Sequence, residues 1–252
     1  MGCFWSNDSL FGATPGVVRT RVGYSGGTTK SPHYRSIGDH TEVIELDFDP
    51  KTVTFEDLLD MFWGNHEYGL TTKLKRQVKM KLSSRCRVNS PPPDPSFSSP
   101  KKGGFLFYQS LILYHDEEQR AAAEASHKDM QVRCNQQLRT EIAPAGTFYP
   151  AEDQSGQSLL LYTLQTLTFV TFSSSYHQKY RLQGHKDLCR SLGLDSSKLQ
   201  TSHLAARLNG YLVGVGGKNQ FEQEVAKLGL SEKQADYVRR ELERNEGGGL
   251  AC

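Results

Sequence analysis

The sequence predicts an α/β fold with a helical C-terminal extension, on three observations. Between Glu42 and Asp49, the residues Ile44, Leu46 and Phe48 alternate with polar ones, the period of a half-buried strand, and Pro50 stops it. The period then lengthens. Phe55, Leu58, Leu59, Phe62 and Trp63 fall on one helical stripe, opened by Thr54 with Asp57 three residues on. A second β-to-α switch follows, where the short strand Leu111–Tyr114 gives way to Asp116, a helix cap, and an Ala-rich helix expected to reach about Leu138.

The remaining elements follow in order. Val17 to Tyr24 is β-branched and closes in Ser25-Gly26-Gly27, a strand ending in a turn. Glu141 to Phe148 reads as extended, Tyr176 to Leu192 as small helices, and Leu208 to Gly217 as a glycine-rich turn. Two helices lie beyond it. The second opens at Ser231 with Gln234, carries Ala235, Val238 and Leu242 on one face, and ends at Gly247-Gly248-Gly249. Two stretches break this grammar. Segment 78–107 mixes basic residues with a Pro/Ser cluster that cannot bury a core, and is expected to be a disordered loop. Segment 154–175 has no charge and high strand propensity, so it is sticky wherever it is exposed.

Composition narrows the function class. At 37% hydrophobic and 23% charged residues, with 12 Phe and 11 Tyr, the 252-residue chain is globular rather than disordered. Thirty basic and 28 acidic side chains leave a formal charge of +2, too little for the basic field that nucleic acid or an anionic membrane requires. The most apolar run, 159–172, is shorter than the ~20 residues of a spanning helix. The N-terminus lacks the apolar run of a signal peptide, so a cytoplasmic location is expected. Cys3, Cys86, Cys134, Cys189 and Cys252 have neither metal-ligand nor paired spacing; reduced thiols are expected, with no metal.

One of these thiols stands out. Cys3 directly precedes a segment that can start a helix, where unpaired backbone donors and the dipole favour the thiolate. A lone cysteine is more often a buried, inert residue, but Cys3 has company. Gly2-Cys3-Phe4-Trp5 resembles the active-site signature of the type A peptide methionine sulfoxide reductases, and further motifs follow in the same order. They are Val22-Gly23-Tyr24-Ser25-Gly26-Gly27, Ser31-Pro32-His33-Tyr34, Asp39-His40-Thr41-Glu42, Phe62-Trp63-Gly64-Asn65-His66, and Phe148-Tyr149-Pro150-Ala151-Glu152-Asp153. Tyr176-His177-Gln178-Lys179-Tyr180 is similar to the motif that directly follows Ala-Glu-Asp in the family, but here it comes after segment 154–175. Segment 78–107 likewise separates Gln77 from Tyr108-Gln109-Ser110, so both segments are expected to be retained introns or gene-model errors.

The resemblance implies a two-layer sandwich around a mixed sheet, a ferredoxin-like core. Residues 1–217 would form the reductase domain and 218–252 a helical extension with a Gly-rich tail. It implies reduction of the S epimer of methionine sulfoxide, in oxidised proteins and as the free amino acid, with Cys3 attacking sulfur. Glu42 would protonate the oxygen, its proton retained because Phe4 and Trp5 desolvate it. Tyr34 and Tyr108 would hydrogen-bond that oxygen, while Phe4 and Trp5 cage the S-methyl group. No bound cofactor is implied, only thioredoxin or another dithiol as reductant, and a monomer is expected. The chain departs from the family at Leu212, where the usual resolving cysteine follows Gly210-Tyr211, and at Lys73, where the family has an aspartate. It also begins at the first motif, without the strand that precedes it in the family. A resolving thiol must then come from elsewhere, with Cys252 on its glycine tether first and Cys189 second. The alternative reading is a catalytically impaired sulfoxide-binding or interaction module of the same fold. A general thiol peroxidase fits less well, since it leaves Glu42 and the tyrosines without a task.

Overall fold

The computed structural model describes residues 3–65, 110–134, 137–151 and 177–247. Segments 78–107 and 154–175, Lys73, Cys86, Tyr108 and Cys252 lie outside the described residues. Helix α1 (Phe4–Gly12) is buried nearly all round, polar Asn7, Asp8 and Ser9 included, so it is the axle of the molecule rather than a surface helix. Strand β1 (Val17–Ser25) follows and runs antiparallel to β2 (Thr41–Phe48), with Tyr24 opposite Glu42 and Val22 opposite Ile44. Thr20, Val22 and Tyr24 are buried beneath α1, while Arg19 and Arg21 pair across the opposite face with Asp47 and Glu45.

Helix α2 (Phe55–Gly64) has the expected capping box, Thr54 and Asp57 each satisfying the other's backbone N–H. Its stripe joins Phe11, Val17 and Ile112 in one core cluster, with Ile44, Leu46 and Phe48 packed against it. Strands β3 (Leu111–Tyr114) and β4 (Glu141–Pro144) pair in parallel through the crossover helix α3 (Glu117–Arg133), capped by Asp116. Helix α3 ends at Arg133, short of Leu138. The backbone turns extended at Cys134, and Leu138, 6% exposed, enters the core while its N–H donates to Gln131 Oε1 at 2.9 Å. Strand β5 (Tyr149–Pro150) adds to the free edge of β1. A Cβ at Gly23 would lie 2.4 Å from the Tyr149 carbonyl oxygen, so only glycine admits that approach. Among the described residues the pairing is antiparallel in one sheet, β2-β1-β5, and parallel in the other, β3-β4.

The rest is helical: α4 (Tyr180–Gln183), α5 (Lys186–Ser191), α6 (Ser196–Thr201), α7 (His203–Tyr211), α8 (Gly217–Glu224) and α9 (Glu232–Asn245). They share one core, in which Leu182, Leu208, Phe221, Val238 and Leu242 are fully buried. The capping box of Ser231 and Gln234 opens α9 as the sequence predicts. The glycine-rich turn is a partial miss. Leu208 to Tyr211 complete α7, and the left-handed turn is confined to Gly214, Gly216 and Gly217. Gly210 serves packing instead, since a Cβ there would meet Ser9 O and Ala13 Cβ at 2.4 Å, where α7 crosses α1. Buried Arg207 completes that joint. Its guanidinium donates to the Gly12 carbonyl (3.3 Å), to Tyr211 and to Glu224 (2.5 Å). Burial pushes the Tyr211 hydroxyl up to about 12. No helix among the described residues is long and apolar enough to cross a membrane.

Candidate active site

Cys3 is the N-cap residue of α1 and is partly buried. The first turn of a helix leaves N–H groups without intrahelical partners, and with the dipole these stabilise a nearby anion. The acceptor at hand is Glu42. The Phe4 N–H donates to Glu42 Oε2 at 3.2 Å, which brings the carboxyl group beside the residue that carries the thiol. Its position follows from strand parity. Glu42 continues the row Ile44, Leu46, Phe48 on the face of β2 turned to the core, at the end where that row meets the N-terminus of α1. Glu42 and Asn7 also line a cavity of about 230 Å³ whose other walls include Ile44, Leu46, Phe62 and Ile112.

The segment leading into β2 is clamped. Asp39 accepts the backbone N–H and the hydroxyl of both Thr28 and Thr29, at 2.6–2.9 Å, and these bonds hold its carboxyl well below the usual carboxylate range. Buried His40 accepts the Gly27 N–H at Nδ1 (3.1 Å), so Nε2 carries the proton and donates to the Thr29 carbonyl (2.8 Å). Between these clamped ends the chain presents Tyr34, 37% exposed, to the site.

Aromatic rings form the wall. Trp5 stacks on Tyr180 with centroids 4.1 Å apart, and lies nearly parallel to His177 at 5.9 Å and Tyr34 at 6.3 Å. Tyr34 also approaches His177 to 4.6 Å. Phe4 is 1% exposed and backs the wall, packed with Tyr24, Val22 and Ile37 and 5.7 Å from His177. Five predicted site residues, Cys3, Phe4, Trp5, Tyr34 and Glu42, therefore gather at the N-terminus of α1. Cys189 lies in α5, where its Sγ donates to the Leu182 carbonyl at 3.3 Å and burial pushes the thiol up. Leu212, at the position of the family's usual resolving cysteine, is 1% exposed in the helical core. Sequence reading gave no task to His177 and Tyr180. Their motif was in view, but nothing local places it against residues 3–5. Among the described residues no group of three or more His, Cys, Asp or Glu side chains could hold a metal ion.

A family model described as "Peptide methionine sulfoxide reductase" matches residues 1–81 and 103–158. A second, described as the helical domain of selenoprotein methionine sulfoxide reductase A, matches residues 193–243, within the helical layer. A Drosophila melanogaster protein named peptide methionine sulfoxide reductase is 46% identical over 253 residues, covering 100% of this chain and 82% of its own. The peptide methionine sulfoxide reductase MsrA of Methanothermobacter thermautotrophicus is 38% identical over 164 residues, 63% of this chain and 82% of its own. The solved structure of methionine sulfoxide reductase A of Corynebacterium diphtheriae is 28% identical with a TM-score of 0.42, over 66% of this chain and 74% of that one.

Proposed function

We infer the chemistry of this chain from its kinship: it belongs to the peptide methionine sulfoxide reductase family and reduces methionine sulfoxide to methionine. The proposal is that Cys3 attacks the sulfoxide sulfur as thiolate while Glu42 protonates the departing oxygen. The observation that carries it is the 3.2 Å bond from the Phe4 N–H to Glu42, which supports a thiol and an acid acting at one helix N-terminus. In the first half-reaction the oxygen passes from substrate sulfur to Cys3 sulfur. The substrate sulfur gains two electrons and leaves as thioether, and Cys3 loses two and becomes sulfenic acid. Trp5 is proposed to offer aromatic surface to the S-methyl group, with Phe4, 1% exposed, behind it rather than beside the substrate as the sequence suggests, and the Tyr34 hydroxyl is proposed to hydrogen-bond the oxygen. Tyr108 is proposed as the second hydroxyl. The substrates proposed are the S epimer, in oxidised proteins and free, and the protein is proposed to work as a cytoplasmic monomer.

Turnover then needs a second thiol, which condenses with the sulfenic acid to a disulfide and releases water. A dithiol such as thioredoxin reduces that disulfide. Cys252 is proposed as this thiol, on the tether Gly247-Gly248-Gly249. The hydrogen-bonded, half-buried Cys189, with its raised thiol, is a poor rival. Cys252→Ser is expected to stop thioredoxin-driven cycling while sparing the first methionine released, and Cys189→Ser to change neither. Normal cycling of Cys252→Ser would remove the tail from the mechanism. The functional reading is tested by mixing the reduced chain with free methionine S-sulfoxide and no reductant. One equivalent of methionine per chain is expected, whereas none would favour a binding module that has lost its chemistry.

Removing segments 78–107 and 154–175 brings Gln77 next to Tyr108 and Asp153 next to Tyr176. The shortened chain is expected to be more soluble and to turn over faster. Equal solubility and turnover in the two chains would contradict this.

A further inference from the structure

Asp8 and Lys179 form a fully buried ion pair that the proposed chemistry does not use, 3.0 Å from Nζ to Oδ1. Charges leave water at a large cost, and a buried pair is tolerated only where its geometry and remaining hydrogen bonds are good. Here they are. The Asp8 carboxylate, five residues along from Cys3, accepts the Thr20 hydroxyl (2.5 Å), the Lys179 ammonium (3.0 Å), the Lys179 backbone N–H (3.0 Å) and the Asn209 amide (3.4 Å). The ammonium also donates to the Thr20 carbonyl at 2.7 Å. Four parts of the chain thus meet at one carboxylate: α1, β1, α7 and the segment around Lys179. Burial pushes the Lys179 ammonium down, and Asp8 opposes that shift.

Lys179 is also strained. Its φ of +51° lies in the left-handed region, which a non-glycine residue keeps only where its surroundings over-determine it. Its neighbours are the residues that complete the aromatic wall. His177 packs against Phe4, Trp5 and Tyr34, and Tyr180 stacks on Trp5 at 4.1 Å. Between them Gln178 accepts the Val22 N–H (3.0 Å) and donates to the Val22 carbonyl (2.8 Å), tying the same segment to β1. Apolar contacts alone would allow these rings to slide, but directional charged hydrogen bonds admit one arrangement.

We propose that the Asp8–Lys179 pair is a positioning element for substrate binding: it holds the left-handed turn that sets His177 and Tyr180 against Trp5 and so fixes the width of the methionine cage. This rests on the reading that Trp5 faces the substrate. Neither residue touches the reacting atoms, so its loss acts through the cage. The test compares the full chain with Lys179→Met, using free methionine S-sulfoxide and dithiothreitol, and measures KM, kcat and the rate of Cys3 alkylation by iodoacetamide. Because Lys179→Met leaves Asp8 buried without its cation, Asp8→Asn/Lys179→Gln, with no stranded charge, is measured beside it. A loosened cage binds the sulfoxide more weakly and raises KM on the order of 10- to 100-fold, about 1.4 to 2.8 kcal/mol of lost binding. Alkylation, which needs only the small reagent and the thiol, stays within about twofold of the parent, since Cys3 keeps its helix N-terminus. A variant that was merely less stable would lose kcat in proportion to the folded fraction and keep its KM.

An unchanged KM in whichever variants fold overturns the proposal. So does failure of both to fold by circular dichroism, which would make the pair a folding determinant only. A parent chain that forms no methionine overturns the functional reading instead, and that control separates the two failures.

Discussion

Cys3→Ser is expected to abolish methionine formation. The substitution is nearly isosteric at the N-cap of α1, and serine is itself a favoured N-cap residue, so the helix and the Phe4–Glu42 bond should survive it. What changes is the nucleophile. A helix N-terminus stabilises an anion by about 0.3–1 kcal/mol, enough to favour thiolate but far too little to ionise a hydroxyl at neutral pH. An oxygen nucleophile would also need to form a peroxide-like O–O bond where sulfur forms a sulfenic acid, so no route to product remains. The check is methionine released per chain, with dithiothreitol present and absent. Turnover close to that of the parent would sink the assignment of Cys3.

The second large effect is expected at Glu42. Glu42→Gln keeps the size of the side chain and an oxygen to accept the Phe4 N–H at the helix N-terminus, so it isolates proton delivery from packing. Removing a general acid costs on the order of 10²–10⁴ in rate. The loss should appear in the first half-reaction, measured by rapid quench at saturating sulfoxide, with the rate of Cys3 alkylation nearly unchanged. A tenfold or smaller loss would mean that another group supplies the proton.

Much of the fold was legible because it is written in short-range chemistry. The strand row of Ile44, Leu46 and Phe48, the stripe of α2, and the capping boxes at Thr54 with Asp57 and Ser231 with Gln234 each involve residues a few positions apart. The same holds for Cys3 at a helix start. The misses have one character. Gly210 reads locally as a turn signal because glycine usually is one, whereas its use is the close crossing of α7 over α1, nearly 200 residues away in sequence. The Ala-rich pattern of α3 extends past its true end because it does not say that Leu138 must enter the core.

The candidate site divides in the same way. The motifs and their order, through the family resemblance they carry, group Cys3, Trp5, Tyr34 and Glu42 as the expected site, and a thiol, an acid and aromatic surface are what the proposed sulfoxide chemistry demands. Strand parity placed Glu42 in the core-facing row, but only tertiary structure laid that row's end against the N-terminus of α1. Only it, too, brought Lys179 to Asp8, Gln178 to the edge of β1, and His177 and Tyr180 to Trp5. A buried lysine, a strained φ and a side-chain amide standing in for a strand have no local signature. Each is stable only when its partners arrive from distant parts of the chain, and the energy that decides it is absent until they do.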